Sequence, residues 1–401
     1  MAFSHRVTSS IAVILMPVLV LLSPDRMSLI KRAFFNPLFL SCLGFLVINA
    51  VGIGYTSNYD QNIKETTAKA GIAAIPFFFC AYAFNIKIKL RLLISIFTVC
   101  LFAATLYCLS YAYVIYRLQG DSSVFFYHTL LSPLNEHAVY YSFYLLFCVL
   151  YWLEEGIATW KQTTMKAVTV FVLLYFFLLI ILLSSKIVLG LLFVYMIYYV
   201  FSQLIRKPNK KLIAVVVVVV GIATLLLITT NNPVKKRFID LTQGSITLFQ
   251  QEQFNADTYF NGLQFRLLTW RFTGEILREQ NAWLTGVSAG DGKSFLQKKY
   301  IATGMYQGDG VSSIGYLQYD CHNIYLQTTL ESGLPGLAAL LAVIIFFLRK
   351  LVRSNRKTAL LFFLCLLIFG FTESYLSRQY GIVLFCFMPL LLSSAERPDK
   401  N

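Results

Sequence analysis

Long apolar runs separated by short polar turns dominate the chain. Most approach the length, about 20 residues, that a helix needs to cross a hydrocarbon layer of about 30 Å. Eleven can be marked: Ser9 to Leu22, Phe34 to Ile53, Thr67 to Phe84, Leu92 to Tyr116, His137 to Leu153, Lys166 to Leu183, Lys186 to Ile205, Leu212 to Thr230, Leu334 to Leu348, Ala359 to Phe371 and Gly381 to Leu392. Within lipid a segment has to satisfy its own backbone N–H and C=O groups, which favours helices, and no period-two alternation competes as it would in a barrel. The expected fold is therefore all-α and polytopic, with eleven or twelve spans. The first run resembles a secretory signal in length, but Pro17 interrupts it and no small-residue cleavage site follows, so it reads as a membrane helix.

One connection differs from the rest. About a hundred residues separate Thr230 from Leu334, and so long a loop in a chain of short turns points to function. The expected organisation is residues 1–230 as N-terminal transmembrane helices, 231–333 as a large outer loop containing helices, and 334–401 as C-terminal transmembrane helices. Within the loop, "NGLQFRLLTWRFTGEILREQ" from Asn261 repeats apolar residues three and four apart, which predicts an amphipathic helix on or near the membrane surface.

Composition supports the membrane reading: 57% of residues are hydrophobic and 13% charged, well below the charged quarter of an ordinary soluble domain. The net charge of +15 comes largely from basic turns, "NIKIKLR" from Asn85, "RKPNKK" from Arg206 and "RKLVRSNRK" from Arg349. They fall at alternate turns, and cytoplasmic loops carry such excess. The turn "LSS" before Lys186, the large loop and "TESYLSRQ" from Thr372 then belong outside. The charge is a topology signal, and nucleic acid is not an expected partner. With a cytoplasmic C-terminus, eleven spans put the N-terminus outside and a twelfth near the start puts it inside. Of the eight cysteines only Cys321 lies outside the predicted spans, which argues against a disulfide framework.

Three residues on the outer side carry candidate chemistry. Arg271, Glu275 and Arg278 are spaced as a solvated ion ladder. Arg266 has Gly262, Leu263, Thr269 and Trp270 at three and four residues and no acid among them. Its guanidinium is either an interfacial anchor or a fork for an external anion such as phosphate. Lys186, flanked at that spacing by Leu182, Leu183, Leu189 and Gly190, is either a snorkelling lysine or a second cation. His322 precedes Asn323 and Gln327 in a short helical register, ahead of the breaker "ESGLPG". It is either a polar boundary residue or a proton carrier. Without a metal-spaced cluster around it, proton transfer is the better functional reading.

The stretches "SSKIVLG", "NGLQFRLLTWRF", "WLTGVSAGDGKSF" and "HNIYLQTTLESGLPGLAALL" resemble, in order and spacing, the O-antigen ligase and polymerase superfamily of bacterial membrane glycosyltransferases, over roughly Leu182 to Leu391. The resemblance implies a GT-C-like helical fold and metal-independent, cofactor-free, inverting transfer of a glycan. The donor would be carried on undecaprenyl diphosphate, the acceptor would be a hydroxyl of lipid A-core or a growing glycan, and the site would face the periplasm from the inner membrane. His322 would then be the catalytic base and Arg266 a diphosphate contact. Lys186 falls where many members have arginine, and Asn323, beside the histidine, would orient either its ring or the sugar. Glu373 and Arg378, in "FTESYLSRQYG", would line the site. "NEHAVYYSFYLLF" from Asn135 is similar to a His-x-x-Tyr segment, which adds His137 and Tyr140. Three functions stay open: a ligase, a repeat-unit polymerase, and a lipid-linked glycan transporter. The transporter fits least, since neither internal repeats nor broken polar midplane helices are evident.

Overall fold

A computed structural model describes residues 6–82, 89–156, 162–206, 233–240, 245–309 and 314–394, with the single positions 214, 218, 221 and 229. Among these residues every regular element is helical. In chain order they are α1 (Arg6–Leu22), α2 (Arg26–Phe34), α3 (Pro37–Val51), α4 (Tyr59–Lys69), α5 (Gly71–Tyr82), α6 (Leu90–Gln119), α7 (Tyr127–Leu130), α8 (Ala138–Tyr151) and α9 (Thr163–Leu182). There follow α10 (Lys186–Arg206), α11 (Pro233–Ile239), α12 (Gly262–Glu279), α13 (Gly292–Ala302), α14 (Ile324–Ser354), α15 (Lys357–Phe369), α16 (Gln379–Ile382) and α17 (Met388–Ser394).

Four described segments are long and apolar enough to cross a membrane unaided: Pro37–Gly54, Leu90–Gln119, Thr163–Leu182 and Ile324–Ser354. Ser9–Leu22 and Arg26–Phe34 qualify as a pair, bent by 118°. Large apolar side chains such as Ile14, Val99, Phe171 and Val194 are exposed on these and neighbouring helices, as lipid-facing positions are. The chain is an all-α, multi-pass membrane protein. Two other expected spans are shorter than their apolar runs implied. The run from Thr67 is divided between the end of polar α4 and the 12-residue α5, and that from His137 becomes the 14-residue α8, buried at every position. Apolar periodicity cannot separate a helix enclosed by protein from one enclosed by lipid. The expected span Leu212 to Thr230 lies outside the described residues except for isolated positions.

The chain forms two compact units, one of residues 91–243 and the other chiefly of residues 3–90 and 244–401. In the first, α8 packs on α9 and α10. In the second, α14 packs along α3, and α1, α2 and α3 pack on α5. The segment of this second unit that precedes α14 builds its own core around α12, whose Phe265, Leu268, Phe272 and Ile276 meet Leu296 and Tyr300 of α13 together with Cys321 and Leu330. The apolar stripe of the expected amphipathic helix is thus covered by protein. Its start is fixed by a capping box, in which Asn261 Oδ1 accepts from Leu263 N and Gln264 N while Gln264 Oε1 accepts from Asn261 N.

The position of α14 follows from a break in its helix. Gly333 takes φ 64° and ψ −166°, and Pro335 has no N–H, so the carbonyls of Leu330 and Glu331 lose their normal acceptor roles within the helix. They accept instead from Val287 N at 2.8 Å and Ser288 N at 3.1 Å, and Leu334 N donates to Trp283 O at 2.8 Å. The two glycine segments of the sequence are thus one backbone-to-backbone junction. A side chain on Gly286 would overlap the backbone of Glu331, and one on Gly333 would press on Leu284. The junction is tied onward by Asp291, whose carboxylate accepts from Ser57 N, Ser57 Oγ, Thr56 Oγ1 and Ser288 Oγ at 2.7–3.0 Å. Burial alone would raise the pKa of Asp291, but these donors outweigh it and hold the carboxyl below its ordinary value.

Beneath the junction Lys69 of α4 and Glu331 of α14 form a buried ion pair, each side chain no more than 4% exposed. Asn49 Oδ1 accepts from Lys69 Nζ at 2.9 Å, and Gln327 Nε2 donates to Glu331 Oε1 at 2.6 Å. Removing one partner of such a pair strands the other charge. Glu331→Ala should therefore lower stability by about 3–5 kcal/mol, whereas Lys69→Met with Glu331→Met should recover most of that loss. Thermal unfolding in a neutral detergent checks this, and a double variant as unstable as Glu331→Ala would contradict it.

Candidate active site

The site residues of the second unit come from three places far apart in sequence: the first turn of α12, the turn before α14, and the connection between α15 and α16. Arg266 stands on α12. Its Nε donates to Thr372 O at 2.8 Å, its Nη1 to Gly262 O at 2.8 Å and its Nη2 to Glu373 Oε1 at 3.0 Å. The side chain is 27% exposed, and of its five N–H groups one on each Nη has no partner among the described residues. The sequence left this arginine without an acidic partner. Glu373, 107 residues away, supplies one.

His322 is held by the same carboxylate. Its Nδ1 lies 3.3 Å from Glu373 Oε2, so Glu373 joins the imidazole to the guanidinium, one oxygen to each. The backbone at His322 has φ 47°, a left-handed conformation that a histidine seldom adopts, and its N–H donates to Asp320 Oδ1 at 2.8 Å. Tyr319 and Phe265 pack on the ring, with centroids 5.5 and 6.0 Å from it. Burial alone would lower the histidine pKa. The hydrogen bond and charge of Glu373, with the charge of Asp320, overcome both burial and Arg266 and raise it above 6.5. With Nδ1–H donated to the carboxylate, Nε2 carries the lone pair and is the basic atom.

Asn323 has a different position from the one expected. Its side chain caps α14, with Oδ1 accepting from Tyr325 N at 2.9 Å and Leu326 N at 3.1 Å, and its own N–H donates to Ser374 Oγ at 3.0 Å. Only 3% of it is exposed, so it fixes the turn that carries His322 and does not stand open to a sugar. Gln327 Oε1 accepts from Cys321 N at 3.2 Å, which connects the buried Lys69 and Glu331 pair to the same turn. Arg378 occupies the cap position of α16 and is exposed.

The remaining candidates belong to the other unit. Lys186, expected to have no local partner, lies with Nζ 3.5 Å from Asp240 Oδ2. His137 sits at the cap position of α8, its ring 4.4 Å from that of His128 and 5.3 Å from that of Tyr140. The predicted ladder on α12 is altered too: Glu275 pairs with Arg271 at 3.0 Å, and its other oxygen takes Lys299 at 2.9 Å. Sequence reasoning missed Asp320, although an acid two residues before a left-handed histidine is an available signal, and it missed the ring contacts of Phe265 and Tyr319. Among the described residues no three His, Cys, Asp or Glu side chains converge as metal ligands would.

Fold and site together define a multi-pass membrane protein that carries a histidine, a carboxylate and an arginine on one connected loop structure. A family model described as O-antigen ligase matches residues 170–341, the segment that contains Lys186, Arg266, His322 and Asn323 and ends before Glu373. The resemblance drawn from the motifs is thus found again over that segment, and the O-antigen ligase superfamily is the one it supports. No curated protein matches the chain.

The carboxylate's influence on His322 can be measured. Glu373→Gln removes the charge that raises the imidazole pKa, so the pKa should fall. If neutral His322 is the working form, the acid limb of the rate against pH should move to lower pH while the maximum rate drops. An acid limb unmoved in Glu373→Gln would separate the carboxylate from the histidine.

Proposed function

We propose that the chain transfers a glycan from undecaprenyl diphosphate to an acceptor hydroxyl at the periplasmic face of the bacterial inner membrane, as in ligation of O-antigen to lipid A-core. The observation that carries this reading is the sharing of Glu373 between His322 and Arg266. In a single displacement the acceptor oxygen bonds to the anomeric carbon as the bond from that carbon to the diphosphate oxygen breaks. The electron pair leaves with the diphosphate, and the acceptor proton passes to His322 Nε2. Glu373 stabilises the imidazolium that forms. The remaining N–H groups of Arg266 donate to phosphate oxygens as their charge grows, an effect strongest where water is scarce.

Each residue has a separate duty in this reading. Repeat-unit polymerisation uses the same chemistry with a growing glycan as acceptor. Members of both activities would share every group named here.

Removing a general base typically costs about a hundred- to ten-thousand-fold in rate. His322→Ala and His322→Gln should therefore reach the membrane, bind donor and transfer almost nothing. Arg266→Lys should also be severely impaired, because an ammonium cannot reproduce the guanidinium's simultaneous bonds to Thr372, Gly262 and Glu373 while donating outward. The assay is transfer from a purified undecaprenyl-diphosphate glycan to lipid A-core at matched protein abundance, with donor binding measured separately. Near wild-type turnover in either histidine variant would make His322 structural.

A further inference from the structure

The chain enters α14 through a turn built by side chains. The N–H of Cys321 donates to Gln327 Oε1 at 3.2 Å, that of His322 to Asp320 Oδ1 at 2.8 Å and that of Asn323 to Ser374 Oγ at 3.0 Å. Cys321 and Asn323 are thus fixed from outside the turn, by α14 and by the connection between α15 and α16. His322, between them, is fixed from within it, by a side chain two residues earlier.

His322 also carries the strain of the turn. Its φ of 47° lies in the left-handed region that a β-carbon disfavours, and such a conformation persists only where the surroundings enforce it. Asp320 enforces it in a specific way, because a side chain of this length closes a hydrogen-bonded ring onto the N–H two positions on. It does not hold the imidazole itself. Its Oδ1 lies 4.0 Å from His322 Nδ1, beyond hydrogen-bond range, whereas Glu373 Oε2 lies at 3.3 Å. A return to ordinary negative φ would redirect the bond from Cα to Cβ and carry the ring away from Glu373. Taking His322 as the base of the proposed transfer, on which this assignment rests, we propose that Asp320 is a positioning residue: its side chain closes the turn that keeps the histidine left-handed and so sets the ring against Glu373.

Two substitutions separate the turn from the charge. Asp320→Asn keeps an acceptor oxygen at the same reach and loses the charge, whereas Asp320→Glu keeps the charge and sets it one methylene too far to close the turn. Both are made in the full chain, purified in a neutral detergent. Nitrogen-15 spectra of histidine-labelled protein, at a pH above the imidazole's pKa, should place the proton on Nδ1 of His322 in the parent and in Asp320→Asn. That preference should be lost in Asp320→Glu. Transfer from the purified undecaprenyl-diphosphate glycan to lipid A-core should follow the same order. Asp320→Asn should stay near the parent's kcat and Asp320→Glu should fall about a hundredfold, as about an ångström of misplacement costs, with the KM for donor unchanged in both. Loss of the Nδ1 preference in Asp320→Asn, or its retention in Asp320→Glu, would overturn the assignment. If the parent itself transfers nothing, the proposed reaction fails while the tautomer comparison still decides the part of Asp320.

Discussion

The carboxylate of Glu373 meets a nitrogen of Arg266 on one oxygen and a nitrogen of His322 on the other. For Arg266 it adds a charged partner to the two carbonyls, Thr372 O and Gly262 O, that already hold the guanidinium, and for His322 it supplies the Nδ1 acceptor without which a buried imidazole has no fixed tautomer. The shared acid orders both side chains and keeps the pair's charge compensated in a region where bare charge is costly. It also leaves Nε2 of the histidine and one N–H on each Nη of the arginine without a bond among the described residues.

Geometry this specific needs a rigid base, and the base is the break in α14. Gly333 and Pro335 remove helical partners from the Leu330 and Glu331 carbonyls, and the segment from Val287 supplies new ones. Lys69, Glu331 and Gln327 then brace the Cys321 backbone directly before the histidine. Ser374 and the start of α14 fix Asn323, the residue directly after it. The buried ion pair is costly to form in isolation, so its value lies in positioning as much as in stability.

The sequence made the helices legible because apolar runs act locally. Their starts were equally local but went unread: Asn261 with Gln264 caps α12, and Pro37 opens α3 three residues after the apolar run begins. The histidine and arginine were legible as candidates because each was an isolated polar group with no partner in its own helix. What was not legible was the partner, since Glu373 reaches Arg266 across 107 residues and no helical spacing encodes that. Lys186 shows the same limit, with Asp240 beyond the reach of any local pattern. The protein core around α12 was not legible for a related reason: an amphipathic stripe specifies an apolar partner without saying whether it is lipid or protein. Asn323 was read as part of the chemistry because the cap of a helix and a substrate amide look alike until the helix start is known.

The central claim, that Glu373 prepares His322 as a base, depends on which ring nitrogen holds the proton. Nitrogen-15 spectra of histidine-labelled protein in detergent, with His322 assigned by comparison with His322→Gln, report this directly at a pH above the imidazole's pKa. The expected result is a proton on Nδ1 and a bare Nε2, with that preference lost in Glu373→Gln. A dominant Nε2–H form in the parent protein, or a tautomer ratio unchanged by Glu373→Gln, would contradict it.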